Sequence, residues 1–250
     1  MKTFGLIGNP LEHSFSKKYF TEKFKKDGIK DCSYELFPLE DASELIELVQ
    51  ADKTLCGLNV TVPFKRDVLE LLDETEEEAK TIGAVNTIKI QRNTDNDKPR
   101  LIGYNTDVHG FKTSLLPLLK KKHSNALVLG TGGSSKAVSY ALNTLGISFL
   151  QVSREPKNDE DLSYQELNEE LIKQHTLIIN CTPIGMFPDI NLCPDIPLNS
   201  VGPEHLVYDL IYNPAETALL KRCKGNGAQI KNGMEMLELQ AEKSWEIWNL

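Results

Sequence analysis

At 250 residues the chain suits one large or two modest domains, with ample apolar material for a core. Hydrophobic residues at 40% and charged residues at 26% are the balance of an ordinary soluble protein. The net charge of −8 argues against nucleic acid or an anionic membrane as the main partner, but leaves room for an anionic small molecule met by a local cluster of donors.

The opening run Met1-Lys2-Thr3-Phe4-Gly5-Leu6-Ile7 passes straight into a strand pattern, so no signal peptide is expected. No apolar run approaches the ~20 residues of a membrane span. Cys32, Cys56, Cys181, Cys193 and Cys223 are odd in number and scattered, without a C-x-x-C pair. They read as free thiols in a reducing, cytoplasmic compartment. His13, His109, His123, His175 and His205 show no ligand spacing, so no metal is expected. Chemistry is left to an organic cofactor or to side chains alone.

Strand-like runs occur near 3–7, 33–37, 55–62, 86–91 and 100–104, then at 126–129, 148–152, 176–180, 206–210 and 228–230. Helical patterns fall between them, for example at 16–26, 43–50 and 136–145. Such alternation predicts an α/β architecture with largely parallel sheets. The polar stretch 92–100 breaks one strand pair and reads as a hairpin loop. A helix over 107–122 carries the chain from a first lobe to a second. In the final segment, 233–249, Met234, Leu237, Ala241, Trp245 and Trp248 recur at helical spacing, an apolar stripe that packs back on an earlier lobe. A ligand cleft between two α/β lobes is the ordinary expectation.

Asn59-Val60-Thr61-Val62-Pro63-Phe64-Lys65 is the most informative segment. Read as a strand, it sets Asn59, Thr61 and Pro63 on one face and Val60 and Val62 on the other. Pro63 suits the first turn of a helix, from which Lys65 projects toward Asn59 and Thr61. Three donors of different shape then converge. The alternative is a polar strand edge, a turn and a solvated lysine.

Ala126-Leu127-Val128-Leu129 is a buried strand, and Gly130-Thr131-Gly132-Gly133-Ser134-Ser135-Lys136 leads from it into a helix. Glycines there admit a tight turn and close approach to a pyrophosphate, and the helix start offers free N–H groups and a positive dipole end. The spacing departs from G-x-G-x-x-G, with Ser135 at the last position and an extra glycine at Gly133. The next strand, Phe149-Leu150-Gln151-Val152, ends in Ser153-Arg154. An acid there suits the ribose of NAD, and a cation suits the 2′-phosphate of NADP. Arg154, with Lys157 nearby, favours NADP; a solvent-exposed arginine is the alternative, and Glu155 beside it opposes a phosphate. The segment 180–186 ends a strand and turns at Pro183 and Gly185, at the edge where such a sheet holds its ligand, which makes Thr182 and Met186 candidates. Met186 borders the nicotinamide or fills a gap.

Together these segments resemble the shikimate dehydrogenase family, in order and along nearly the whole chain. The matching pieces are Gly8-Asn9-Pro10 with His13-Ser14-Phe15-Ser16, the run from Asn59 to Lys65, Gly83-Ala84-Val85-Asn86-Thr87, and Gly103-Tyr104-Asn105-Thr106-Asp107. The glycine turn follows, then Asn180-Cys181-Thr182-Pro183-Ile184-Gly185-Met186, Asp209-Leu210-Ile211-Tyr212-Asn213-Pro214, and Asn232-Gly233-Met234-Glu235-Met236-Leu237 leading to Gln240. The resemblance implies reversible reduction of 3-dehydroshikimate to shikimate with NADPH, on the route to aromatic amino acids. It implies a substrate lobe over 1–106, rejoined by the helix 233–250, and a Rossmann-like NADP-binding lobe over 107–232. Ser14, Ser16, Thr61, Lys65, Asn86, Asp107, Tyr212 and Gln240 match substrate positions, with Asn59 beside them. Glu77, the turn Gly130, Thr131, Gly132, Gly133 and Ser134, then Ser153, Arg154, Leu210 and Gly233 match the cofactor side. The chain departs from the family pattern at Lys17, where proline is usual, at Ser153, for asparagine, and at Glu155, for threonine.

Reducing a ketone develops negative charge on its oxygen while hydride arrives on carbon. Lys65 meets that charge and gives the proton that completes the alcohol. Asp107 orients Lys65 or accepts from a ring hydroxyl; alternatively it caps the helix behind it, a task Thr106 can also perform. Ser14 and Ser16 at a helix start suit a ring carboxylate, or simply cap the helix. Asn86 both donates to and accepts from ring hydroxyls, or is a turn asparagine. Gln240 flanks the stripe of the last helix and reaches the ligand, or is a boundary residue. Tyr212 is a ligand contact or a core tyrosine. Glu77 lies in the acidic run Asp73-Glu74-Thr75-Glu76-Glu77-Glu78, which is a solvated face or a cofactor contact. Two rival functions stand beside this one: a quinate/shikimate dehydrogenase with broader substrate or NAD use, and a non-catalytic NADP-binding regulator. Lys65 together with Asp107 weighs against the regulator. The expected partner is the small-molecule substrate, with no nucleic acid and no membrane, in a monomer or homodimer.

Overall fold

A computed structural model describes residues 1–11, 14–93, 96–156, 158 and 161–250. Strands and helices alternate as the sequence pattern predicts, and the α/β chain forms two units, Met1–Thr106 with Gln240–Leu250 and Asp107–Leu239.

The first unit contains β1 (Lys2–Gly8), α1 (Phe15–Lys26), β2 (Cys32–Pro38), α2 (Glu44–Ala51), β3 (Leu55–Val60), β4 (Glu74–Thr75), α3 (Glu77–Ile82), β5 (Thr87–Asn93) and β6 (Asn96–Tyr104). Its sheet order is β2-β1-β3-β5-β6-β4. β1 pairs parallel with β2 and β3, and β4 with β6, whereas β3–β5 and β5–β6 are antiparallel, so this sheet is mixed. The reason is local: β5 and β6 follow each other directly and fold back as a hairpin, which parallel strands cannot do. These two strands occupy most of the stretch expected to be a loop. Arg92 is not a loose loop cation there; its guanidinium donates to the carbonyls of Val49 and Asp52, at 2.7 and 2.9 Å, at the end of α2. Residues 94–95 lie outside the described residues.

An aromatic cluster closes the far side of this sheet. Phe20 stacks on Tyr34 at 4.5 Å, and Phe4 on Trp248 at 4.9 Å, with Phe24 and Trp245 packed around them. Trp248 belongs to α8 (Met234–Asn249), and its indole N–H donates to the Ile88 carbonyl at 3.0 Å. Gly57 in β3 leaves room for it, since a Cβ at that position would run into the indole ring. The predicted stripe of α8 is partly displaced: Ala241 and Trp248 are buried, but so are Gln240, Ser244 and Ile247, while Met234, Leu237 and Trp245 are half-buried. The buried face therefore carries two polar side chains.

The second unit contains α4 (Asp107–Leu115), β7 (Asn125–Leu129), α5 (Gly133–Thr144), β8 (Ser148–Ser153), β9 (Leu162–Ser163), α6 (Glu169–Gln174), β10 (Leu177–Asn180), β11 (Leu206–Asp209), α7 (Ala218–Gly225) and β12 (Gln229–Lys231). α4 stops well short of the predicted 122, because Pro117 cannot continue an α-helical ladder; Leu116–Leu118 is a 3-10 turn. The sheet order is β12-β11-β10-β7-β8-β9, parallel at every pair. Ala126 to Leu129 are fully buried, as a central parallel strand covered on both faces must be. Neighbouring β7 on its two sides are β8 and β10, so the strand order reverses at the end of β7. That is the topological switch point at which open α/β sheets bind their ligands. The two-residue strands β4 and β9 are too short to leave an alternation in the sequence.

Trp248→Ala is expected to cost about 3–5 kcal/mol of unfolding free energy, and Gly57→Ala about 1–3 kcal/mol by overpacking against the indole. Urea midpoints check both, and an unchanged midpoint in Trp248→Ala would show that α8 is not anchored by its indole.

Candidate functional site

In the first unit the segment from Asn59 to Lys65 does not enter a helix at Pro63. β3 ends at Val60, turns occupy 62–66, and a 3-10 helix covers Asp67–Leu71. Pro63 has no N–H to extend a ladder, and the Phe64 N–H donates back to the Thr61 carbonyl at 3.0 Å. Val62 is 69% exposed rather than facing a core. Lys65 is half-buried on this turn, and its carbonyl accepts the Val85 N–H at 2.7 Å. The Val60 N–H donates to the Asn86 carbonyl at 2.8 Å, and the Asn86 N–H to the Tyr104 carbonyl at 3.1 Å. Backbone bonds thus hold Lys65, Asn86 and the end of β6 in one fixed arrangement.

Side chains complete it. Asn86 accepts the Thr106 N–H at 2.7 Å through Oδ1, and its Nδ2 donates to Thr106 Oγ1 at 3.0 Å and to Gln240 Oε1 at 3.5 Å. Asn59 does not stand open on the strand face. Its Nδ2 donates to Ser244 Oγ at 2.9 Å and Thr87 Oγ1 at 3.2 Å, and its Oδ1 accepts from the Tyr34 phenol at 2.8 Å. Burial pushes the Tyr34 phenol up, so it stays protonated and donating; Ser16 hydrogen-bonds the same phenol. Ser14 caps α1, accepting the Ser16 N–H at 3.3 Å. The path Ser16–Tyr34–Asn59–Ser244–Thr106–Gln240 links three of the expected substrate residues of this unit, Ser16, Asn59 and Gln240, and Asn86 joins it at Thr106. Tyr34, Thr87 and Ser244 were given no role in the sequence reading. The available signal was a serine four residues after Gln240, on the same face of a helix.

The acidic run 73–78 has local tasks. Asp73 accepts the Leu101 N–H at 2.8 Å, Glu74 pairs with Arg100, and Glu76 caps α3. Glu77 is exposed on the first turn of α3. His13 and Lys157 lie outside the described residues.

In the second unit Asp107 is buried at the first position of α4. Gly130 follows β7 with φ +102°, a conformation that favours glycine, and its N–H donates to the Val152 carbonyl at 2.8 Å. Gly132 is the N-cap of α5 and lends it no side chain; a Cβ there would meet nothing within 4 Å. Ser135 Oγ donates to the Gly132 carbonyl at 2.7 Å, and Gln151 Nε2 donates to the Gly130 carbonyl at 2.9 Å, so the turn is braced from behind. Open space before an uncapped helix start, with Thr131 exposed and Gly133 and Ser134 on the first turn, fits the diphosphate of a dinucleotide. Ser153 is buried and closes a turn with the Glu155 N–H at 3.2 Å, leaving Arg154 exposed at the end of β8.

Thr182 is held by Asn180, whose Oδ1 accepts its N–H at 3.0 Å and its hydroxyl at 2.6 Å. Met186 is 46% exposed. Leu210 donates its N–H to the Asn180 carbonyl at 3.0 Å, and Tyr212 is half-buried two residues on. Gly233 lies against the Leu210 carbonyl so closely that no Cβ fits.

A strand, a glycine turn and an uncapped helix at the switch point of a parallel sheet define a Rossmann-like, dinucleotide-binding unit, here following a mixed-sheet unit. A family model described as the shikimate dehydrogenase substrate binding domain matches residues 6–88. The shikimate dehydrogenase (NADP(+)) of Methanococcus maripaludis is 39% identical over 266 residues, covering 99% of this chain and 91% of that one. The shikimate 5-dehydrogenase of Thermus thermophilus, solved in complex with NADP(H) and shikimate, is similar with a TM-score of 0.85 and 30% identity, over 99% of this chain and 93% of that one. The quinate dehydrogenase of Corynebacterium glutamicum, in complex with NAD, is similar with a TM-score of 0.86 and 26% identity, over 99% and 93%. The chain belongs to the shikimate dehydrogenase family.

Asn59→Leu strands the Tyr34 phenol and is expected to cost about 1–3 kcal/mol of stability. Adding Tyr34→Phe should return part of that loss, because removing both partners of a buried hydrogen bond is milder than removing one. Strictly additive losses in denaturant titrations would rule out the direct bond.

Proposed function

We propose that the protein is an NADP-dependent shikimate dehydrogenase that reversibly reduces 3-dehydroshikimate to shikimate. The observation that carries the reading is the match to a shikimate dehydrogenase (NADP(+)) over 99% of the chain. In this reading a substrate lobe begins the chain and is rejoined by the last helix, and an NADP lobe begins at Asp107.

The open, uncapped start of α5 takes the diphosphate, and Arg154 on its Ser153 turn reads the 2′-phosphate. Thr182, Met186, Leu210, Gly233 and Glu77 border the rest of the dinucleotide. When bound, the reduced nicotinamide supplies the hydride. Lys65 places an ammonium at the ketone oxygen, stabilises the charge that grows there and delivers the proton. Asp107 holds that ammonium in line. Ser14 and Ser16 take the ring carboxylate at the start of α1. Thr61, Asn86, Tyr212 and Gln240 take the ring hydroxyls, and Asn59 holds Thr87 and Ser244 behind them. Orientation is the contribution of the buried network: an amide already fixed by Thr106 loses little freedom on meeting a ligand.

The five cysteines are free, which supports a reducing, cytoplasmic setting. A monomer or homodimer belongs to the same proposal.

Formation of reduced nicotinamide from shikimate and NADP+ tests the function by absorbance. No signal at high enzyme concentration would favour a non-catalytic NADP-binding regulator. Quinate and NAD+ in the same panel separate the broader dehydrogenase, a reading favoured by the exposed Glu155 next to Arg154. Lys65→Ala is expected to lower kcat about 10²–10⁴-fold while NADP+ affinity stays nearly intact; near-normal turnover would remove Lys65 from the chemistry. Arg154→Ala should raise the KM for NADP+ about tenfold or more, the loss of one charge-assisted hydrogen bond, with little change for NAD+. Equal losses for both dinucleotides would place 2′-phosphate recognition elsewhere.

A further inference from the structure

Asp209 ends β11, is fully buried, and has no part in the chemistry above. Three donors converge on its carboxylate. Oδ1 accepts from Asn180 Nδ2 at 3.0 Å and from the Ile211 N–H at 3.1 Å, and Oδ2 accepts from the Thr217 hydroxyl at 2.7 Å. Each donor is itself committed. Thr217 caps α7, its oxygen accepting the Leu220 N–H at 3.3 Å, so its own proton is directed to Asp209. Asn180, with Nδ2 held by Asp209, turns Oδ1 toward the N–H and hydroxyl of Thr182, and the Ile184 N–H donates to Thr182 Oγ1 at 3.3 Å.

The amide orientation of Asn180 therefore depends on what stands at 209. We propose that Asp209 is a positioning residue for the dinucleotide: its carboxylate fixes the Asn180 amide and the Ile211 backbone, and through them Thr182 and Met186 in the loop 181–186 and Leu210 directly after β11. This rests on the reading that the second unit binds NADP.

Only a carboxylate accepts from all three donors without offering a donor of its own. An asparagine at 209 sets an NH2 group against one of them. The Asn180 amide then loses its reason to face Thr182 with oxygen, and its overturned form sets an NH2 group against the N–H and hydroxyl of Thr182. Protonation of Asp209 does the same. Burial pushes this carboxyl up to about 6, against the pull of the Thr217, Ile211 and Asn180 donors. The other titratable groups that face it are the thiols of Cys181, Cys193 and Cys223, which burial raises, so they stay neutral through that range.

The test is Asp209→Asn in the full chain. We expect the NADP+ dissociation constant to rise about tenfold or more at about pH 7.5, while that for shikimate alone changes less than about twofold. As pH falls from about 7.5 to about 5.5, the parent's affinity for NADP+ should approach that of the variant, because Asp209 takes up its proton in this window. The 2′-phosphate titrates there too, with a pKa near ~6, but it is common to both proteins and cancels in their ratio. An NADP+ affinity within about twofold of the parent, a parent-to-variant ratio that ignores pH, or equal losses for both ligands with a lowered Tm would each overturn the proposal. Should Asp209→Asn fail to fold, Thr217→Val keeps the carboxylate and removes one donor. A loss of about threefold for NADP+ alone supports the proposal, and no loss overturns it. A parent protein that binds shikimate but not NADP+ sinks the functional reading instead, before any variant is made.

Discussion

The last helix meets the first sheet through buried polar groups that pair across the contact. Ser244 is fully buried, and its hydroxyl meets Asn59 at 2.9 Å, Thr87 at 2.8 Å and Thr106 at 3.2 Å while donating to the Gln240 carbonyl at 2.9 Å. An apolar face tolerates several rotations with similar burial; the Ser244 proton stays on the Gln240 carbonyl in any of them, but only the observed one offers its oxygen to the buried Asn59 amide. Gln240 lies one turn before Ser244 and is carried to Asn86 and Thr106 by the same rotation. The polar residues of the proposed substrate site are thereby products of the packing rather than additions to it.

The second unit applies the same requirement at the ends of strands. β10 and β11 finish side by side, and the chain must leave the sheet there without abandoning its hydrogen bonds. Asn180 supplies both an acceptor for Thr182 and a donor to Asp209, and the Leu210 N–H pairs with the Asn180 carbonyl. At the neighbouring strand end, Gly130 makes a turn that a side chain would strain, with Gln151 and Ser135 filling in behind. The loops proposed to meet the dinucleotide have polar groups paired by residues from the adjacent strand ends.

Much of this was legible from residue order. Parallel, fully buried strands show as unbroken apolar runs, and Ala126 to Leu129 with the glycines after them identify the dinucleotide unit without coordinates. Asn86 and Gln240, named from the chain as substrate candidates, stand 3.5 Å apart in the fold. What escaped is where one residue's neighbour in space is distant in order. Pro63 is compatible with both a helix start and a tight turn, and only the bond from Phe64 to Thr61 decides between them. Ser244 reads as a minor polar interruption of an apolar stripe until Asn59, 185 positions away, is set beside it. Asp209 reads as an ordinary strand-end acid, since nothing in its vicinity in the sequence shows that water is excluded from it. The hairpin of the first sheet was anticipated at 92–100, whereas the antiparallel pairing of β3 with β5 was not, because the direction of a non-adjacent strand leaves no mark on its local pattern.

Trp248, Ser244 and Gln240 are supplied to the first unit by its last stretch, Gln240–Leu250, although the rest of that unit ends at Thr106. A nascent chain emerging from the ribosome therefore has the whole of β1 to β6 outside the tunnel well before the residues that satisfy Asn59 and cover Gly57 have been made. During that interval the opening half exposes the aromatic surface that Trp248 covers and lacks the Ser244 partner of Asn59, while the second unit, continuous in sequence, has all its own strands to work with. The first unit therefore cannot be completed until the whole of the second has been synthesised.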